Sequence, residues 1–173
     1  MRNNALSRRT VAWLALALFT LHNAEEALAF RTYLPRMGTL LPERFARVAT
    51  SLSYPVMLVA LVVISVLAFL VALAAATRPQ SPRALWALLT LEAVIALNVI
   101  AHVLSAALIF HGYGPGLATA VLINAPFAIY CFRRARRERW ASTSALWATV
   151  PAALFLHGPI LVGGLFLAGR ATH

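Results

Sequence analysis

Residues 54–76 read YPVMLVALVVISVLAFLVALAAA, an uncharged run whose one hydroxyl between Tyr54 and its end is Ser65, and which stops at Thr77-Arg78-Pro79. A helix of about 20 apolar residues crosses a hydrocarbon core, and nothing inside this run interrupts one. Four more runs of the same kind lie outward from it in both directions, at residues 11–30, 84–110, 115–132 and 141–168, each bounded by Arg, Pro or Gly. The pattern predicts an all-α membrane protein, a bundle of five transmembrane helices forming a single integral membrane domain over residues 1–173, polytopic in the cell (cytoplasmic) membrane.

Composition agrees with that expectation. The chain is 61% hydrophobic and 12% charged, with a mean hydropathy of +0.79, whereas a soluble domain is typically about half apolar and a quarter charged. Soluble enzymes and disordered tails are thereby excluded. Cys131 is the only cysteine, so no internal disulfide can form.

All the cations are arginine, and their positions orient the bundle. Arg2, Arg8, Arg9, Arg78, Arg83, Arg133, Arg134, Arg136, Arg137 and Arg139 fall on the side of the N-terminus, against Arg31, Arg36, Arg44, Arg47 and Arg170 on the other. The positive-inside rule then predicts N-in and C-out. The run from Arg133 to Arg139 reads as a topology anchor attracted to inner-leaflet lipids, so the net charge of +10 calls for membrane lipids as partners and no nucleic acid. In the loop after the first span, Pro42 can open a short interfacial amphipathic helix with Leu41, Phe45 and Val48 on one side and Glu43 and Arg47 paired. Ala27-Leu28-Ala29 matches a signal-peptidase pattern, but two glutamates and a histidine just before it suit a signal peptide poorly.

Three of the five acids, Glu25, Glu26 and Glu92, lie inside predicted spans. Each costs on the order of 2.5 to 3.5 kcal/mol at a bilayer centre, so they should face the bundle interior with His22, Asn98, His102 and His157. At about 100° per residue, His22, Glu25 and Glu26 share an arc of about 100°, and Asn98 and His102 lie about 40° apart on the third span. Measured outward from each span's middle at about 1.5 Å per residue, His22 sits about 3 Å up, Glu26 about 9 Å, Asn98 about 2 Å, His102 about 8 Å and His157 about 3 Å. Polar groups from three helices therefore occupy one layer in the outer half of the bilayer. Asn124 falls near the midplane, and Glu92 lies lower and about 80° beyond His102.

Imidazole nitrogens and carboxylates on several helices of a bundle are the ligand set of zinc or non-haem iron. The expected divalent-metal ligands are His22, Glu25, Glu26, His102 and His157. Glu25 and Glu26 double as acid/base groups, and Asn98 is the catalytic support. The chemistry expected is a membrane-embedded metal-dependent enzyme, a hydrolase before an oxidoreductase, acting on a lipid or another apolar small-molecule substrate. The same residues also suit a small carrier or channel for protons or metal ions, or a metal-free polar cluster that joins helices by hydrogen bonds.

His22-Asn23-Ala24-Glu25-Glu26 near the start of a small membrane chain resembles the HXXEE-domain family. Asn98 to His102 is similar to that family's Asn-x-x-x-His, and His157 matches its later histidine. His111-Gly-Tyr-Gly-Pro-Gly with Thr119-Ala120 and Asn124-Ala-Pro126 is similar to its turn and fourth helix. The resemblance runs from about Thr10 to about Phe166, and it implies an integral membrane protein suspected of metal-dependent enzymology, with no assigned reaction. The glutamate pair also resembles that of CAAX-type intramembrane proteases, but their arginine falls where this chain has Phe30.

Overall fold

The computed structural model describes residues 6–40, 53–160 and 163–164. The described residues are helical, without a strand among them. Helix α1 runs Arg8–Leu40, α2 Tyr54–Thr77 and α3 Pro82–Ser105, the last continuing through a π turn at Ala106–Phe110. A one-turn α4, Leu117–Thr119, passes through a π turn at Ala120–Asn124 into α5, Ala125–Arg137. Helix α6 covers Thr143–Phe155 and ends in a third π turn, Leu156–Ile160.

Helix starts follow from local chemistry. Ser81 accepts a hydrogen bond from the Ala84 amide with Pro82 in the first turn, and Ser142 accepts one from Ala145. Two helices, Tyr54–Thr77 and Pro82–Phe110, are long and apolar enough to cross a membrane.

The first helix is longer than the hydropathy pattern predicts, continuing from Phe30 to Leu40 with Pro35 inside it. Proline removes one amide donor, the one owed to the Arg31 carbonyl, and the tertiary contacts of this extension offset that loss. Tyr33 donates to the Tyr113 carbonyl at 2.9 Å and packs edge-on against Phe110 at 5.1 Å. The interfacial helix expected around Pro42 lies outside the described residues, as does most of the chain after Ile160.

Helices α1 and α2 meet through small side chains. Ala12, Ala15, Ala75 and Ala76 pack with Leu88 of α3, and Phe19, Ala68 and Ile95 continue the seam. Small residues let backbones approach closely, which is how helices gain contact where lipid removes the hydrophobic incentive to associate. Large apolar side chains such as Val62, Val66, Leu104, Leu122 and Trp147 point outward instead.

One end of the bundle gathers the arginines. Arg9 donates to the Ala76 carbonyl in the last turn of α2 and Arg8 to that of Pro79 in the turn that follows. Arg134 pairs with Glu138 at 2.7 Å, holding that carboxyl below its ordinary range, and its guanidinium lies over the Trp140 ring. Buried Trp140 packs with Val11, Leu85, Leu89 and Cys131. The opposite end carries the turn from His111 to Gly116, which folds back over the helices where the histidines meet.

Candidate metal site

His22 and Glu26 are one turn apart on α1, and His102 reaches them from α3. One ligand atom from each lies within 4.8 Å of the others. His102 Nε2 stands 3.3 Å from one Glu26 oxygen, and His22 Nε2 3.9 Å from the other. The two rings approach edge to face with centroids 4.8 Å apart.

Asn98 sits between the rings. Its Nδ2 donates to His22 Nε2 at 2.8 Å and to His102 Nε2 at 3.0 Å, while its Oδ1 accepts from His157 Nε2 at 3.1 Å. One carboxamide therefore uses both donors and its acceptor on three imidazoles. That pattern requires bare Nε2 atoms on His22 and His102, with their protons on Nδ1, and a protonated Nε2 on His157. His22 Nδ1 accordingly donates to Thr119 Oγ1 at 2.8 Å, and the Gly116 and Pro115 carbonyls lie beside the His22 and His102 rings. Partners on the far nitrogen of a histidine fix its tautomer and aim its lone pair.

The roof is Gly116, whose φ of +75° only glycine adopts without strain. A Cβ there would stand 2.8 Å from Glu26 Cγ, His22 Cε1 and His102 Cε1 alike. The backbone of the turn thus rests directly on the three candidate ligands.

Glu25 holds that turn down. Its oxygens accept the Ala118 amide at 3.1 Å, the Thr119 amide at 2.7 Å and the Tyr113 hydroxyl. The hydrogen bond that the Tyr113 phenol donates to the Glu25 carboxylate, helped by burial and by the negative charge beside it, pushes the phenol up to about 12.

Of the residues singled out in the sequence, His22, Glu26 and His102 meet at one point, and Asn98 ties them to His157. Glu25 belongs to the clasp on the turn. Glu92 is fully buried away from the site, with both oxygens unpartnered, and Asn124 is buried with its Nδ2 unpartnered. His111 is exposed in the turn at a φ of +47°. Sequence reasoning gave no role to Tyr113, Gly116 or Thr119, although three glycines around one proline signal a backbone that must bend sharply and pass close to something.

An all-helical protein with two imidazoles and a carboxylate converging under a glycine turn is the class defined so far. Residues 13–131 match the family described as protein of unknown function with HXXEE motif, more than half of the chain. The protein belongs to the HXXEE family. Neither the curated proteins nor the solved structures compared with it contain a match.

Two outcomes follow from the roof and its clasp. Gly116→Ala is expected to lower stability by more than about 1 kcal/mol, since it strains φ and crowds three side chains, whereas Gly112→Ala, with nothing nearer than 3.9 Å, is the milder change; thermal unfolding in detergent compares them. In ultraviolet titration Tyr113 should ionise near 12, and Glu25→Gln should bring it back toward the usual value of about 10. The sign follows from the raised value: what the phenol adds to stability is complete below about 10 and is lost as pH rises through about 12.

Proposed function

We propose that this HXXEE protein is a polytopic membrane protein of five helices, N-in, that binds a divalent cation, zinc or iron, through His22, His102 and Glu26 and uses it enzymatically on a lipid or another apolar substrate arriving from the membrane. One observation carries the reading. Two imidazole lone pairs and a carboxyl group converge in an apolar bundle, with the Asn98 amide donating to both rings. Electron-rich atoms gathered away from water call for positive charge, and two histidines with one carboxylate are a set used by catalytic zinc and non-haem iron.

Each Nε2 has a single lone pair, so a cation and the Asn98 hydrogen bonds exclude one another. With the two Nε2 lone pairs engaged by a cation, the Asn98 amide would be free to hold an oxygen of a bound substrate. His157 keeps its Nε2 proton at the edge of the cluster, where it can pass to a leaving group, and Gly116 excludes water from above. Glu25 is engaged by three donors and serves the turn. A bound metal would supply a hydroxide nucleophile from water near neutral pH. Hydrolysis is preferred because it needs only water, whereas oxygen chemistry at iron needs a reductant as well.

A proton or metal-ion carrier is the second reading, and Glu92 favours it. Its carboxyl is buried without a partner and lies six residues along α3 from Asn98, about 9 Å at the helical rise. A carrier would move ions across liposomes without chemistry, and the flux would vanish in Glu92→Gln.

Elemental analysis of gently purified protein tests the metal directly. The wild type should hold zinc or iron near one per chain, His22→Ala, His102→Ala and Glu26→Gln should lose it, and Asn98→Ala should retain it. Metal-free wild type alongside variants that fold normally would reduce the cluster to a hydrogen-bonded joint between helices.

A further inference from the structure

A groove of about 490 Å³ runs along the outside of the bundle between α1 and α2. Thr20, Asn23, Ala24 and Ala27 form its α1 wall, and Leu61, Val62, Ser65, Val66 and Phe69 lie across from them on α2. At about 100° per residue the α1 wall is centred about 120° around the helix from the His22 and Glu26 side, so this groove is separate from the candidate metal site. It spans Leu16 to Ala27, about 16 Å at the helical rise. Val62, Val66 and Phe69 are exposed beside it on a helix apolar enough to cross a membrane, so it opens toward acyl chains.

The wall holds one unmet need. Asn23 is 5% exposed; its Nδ2 donates to Ser65 Oγ at 2.8 Å, and that hydroxyl donates onward to the Leu61 carbonyl at 2.7 Å. Ser65 has therefore spent its proton, and Asn23 Oδ1 is left buried with no hydrogen-bond partner. A bare amide oxygen at membrane depth is costly, and lipid tails have no donor to offer it. No charged residue lines the groove.

We infer that this groove binds a neutral membrane amphiphile carrying a free hydroxyl, a long-chain alcohol in chemical class. Its O–H donates to Asn23 Oδ1 and its chain lies along Leu16, Leu61, Val62, Val66 and Phe69. Each feature narrows the class. Absence of charge in the walls disfavours phospholipid headgroups, and a wall that offers an acceptor selects a donor, which ethers, esters and hydrocarbons lack. Ala24 and Ala27 are the groove residues next to Asn23, and the buried Oδ1 meets the hydroxyl when the Asn23 side chain turns into the groove. The inference goes beyond the metal reading and stands whether or not a cation binds.

The full chain in lipid nanodiscs, labelled with a photoactivatable long-chain primary alcohol or with the same molecule as its methyl ether, gives the test. The alcohol should label α1 and α2 along this groove with an apparent affinity about tenfold above the ether's, the effect of one hydrogen bond to a buried acceptor. Asn23→Leu should abolish the preference, Ala24→Phe should block labelling by filling the space, and His22→Ala should leave labelling intact while removing any bound metal. Equal labelling by alcohol and ether in the wild type overturns the inference even if neither groove variant folds. So does labelling confined to other surfaces, or a cross-link at Asn23 to a second copy of the chain in place of the lipid. Loss of metal with the alcohol preference intact would count against the metal reading alone.

Discussion

The carboxamide of Asn98, with an imidazole on each of its two N–H groups and a third on its oxygen, is the contact on which the arrangement of this bundle depends. His22 comes from α1, His102 from α3 beside Asn98, and His157 from the π turn after α6. Each would be an expensive polar group alone in an apolar interior. Joined through one amide, they tie three helices at a single depth, with both Nε2 lone pairs of His22 and His102 aimed at the same point. The turn above completes the arrangement, because Thr119 and the carbonyls of Pro115 and Gly116 hold the other sides of the two rings.

That dependence explains the glycine turn and the neighbouring glutamate. Gly116 must reach the rings for its backbone to serve them, which leaves no space for a side chain. The same approach must be held against thermal opening, and Glu25 does so by accepting from two backbone amides and from Tyr113. Two adjacent glutamates thereby divide the work between the candidate ligand set and its roof. The π turns next to His102 and at His157 fit the frequent placement of π turns at functional sites.

Much of the fold was legible because hydropathy and helix punctuation are local signals. The runs beginning at Tyr54 and Ala84 became α2 and α3 nearly as bounded, with Ser81-Pro82 opening the latter. The extension of α1 past Phe30 was not legible, since what sustains it is Tyr33 and its contacts with Tyr113 and Phe110, partners about 80 residues away. In the site, helical spacing was enough to bring His22, Glu26, Asn98 and His102 to one layer. It could not separate Glu25 from Glu26. They lie about 100° apart on a helix, and either side of that arc could have faced the histidines. The deciding partner of Glu25 is the 111–119 turn, whose return path no periodicity encodes. The unpartnered oxygens of Glu92 and Asn23 were hidden for the same reason: satisfaction of a polar atom is a property of its neighbours in space.

X-ray absorption at the edge of the bound metal tests the central claim, that side chains from α1 and α3 share one cation, most directly. For zinc the account predicts a shell of nitrogen and oxygen at about 2.0 to 2.2 Å that includes two imidazoles. A shell containing sulfur, which only Cys131 or a methionine could give, or one with fewer than two imidazoles, would contradict it.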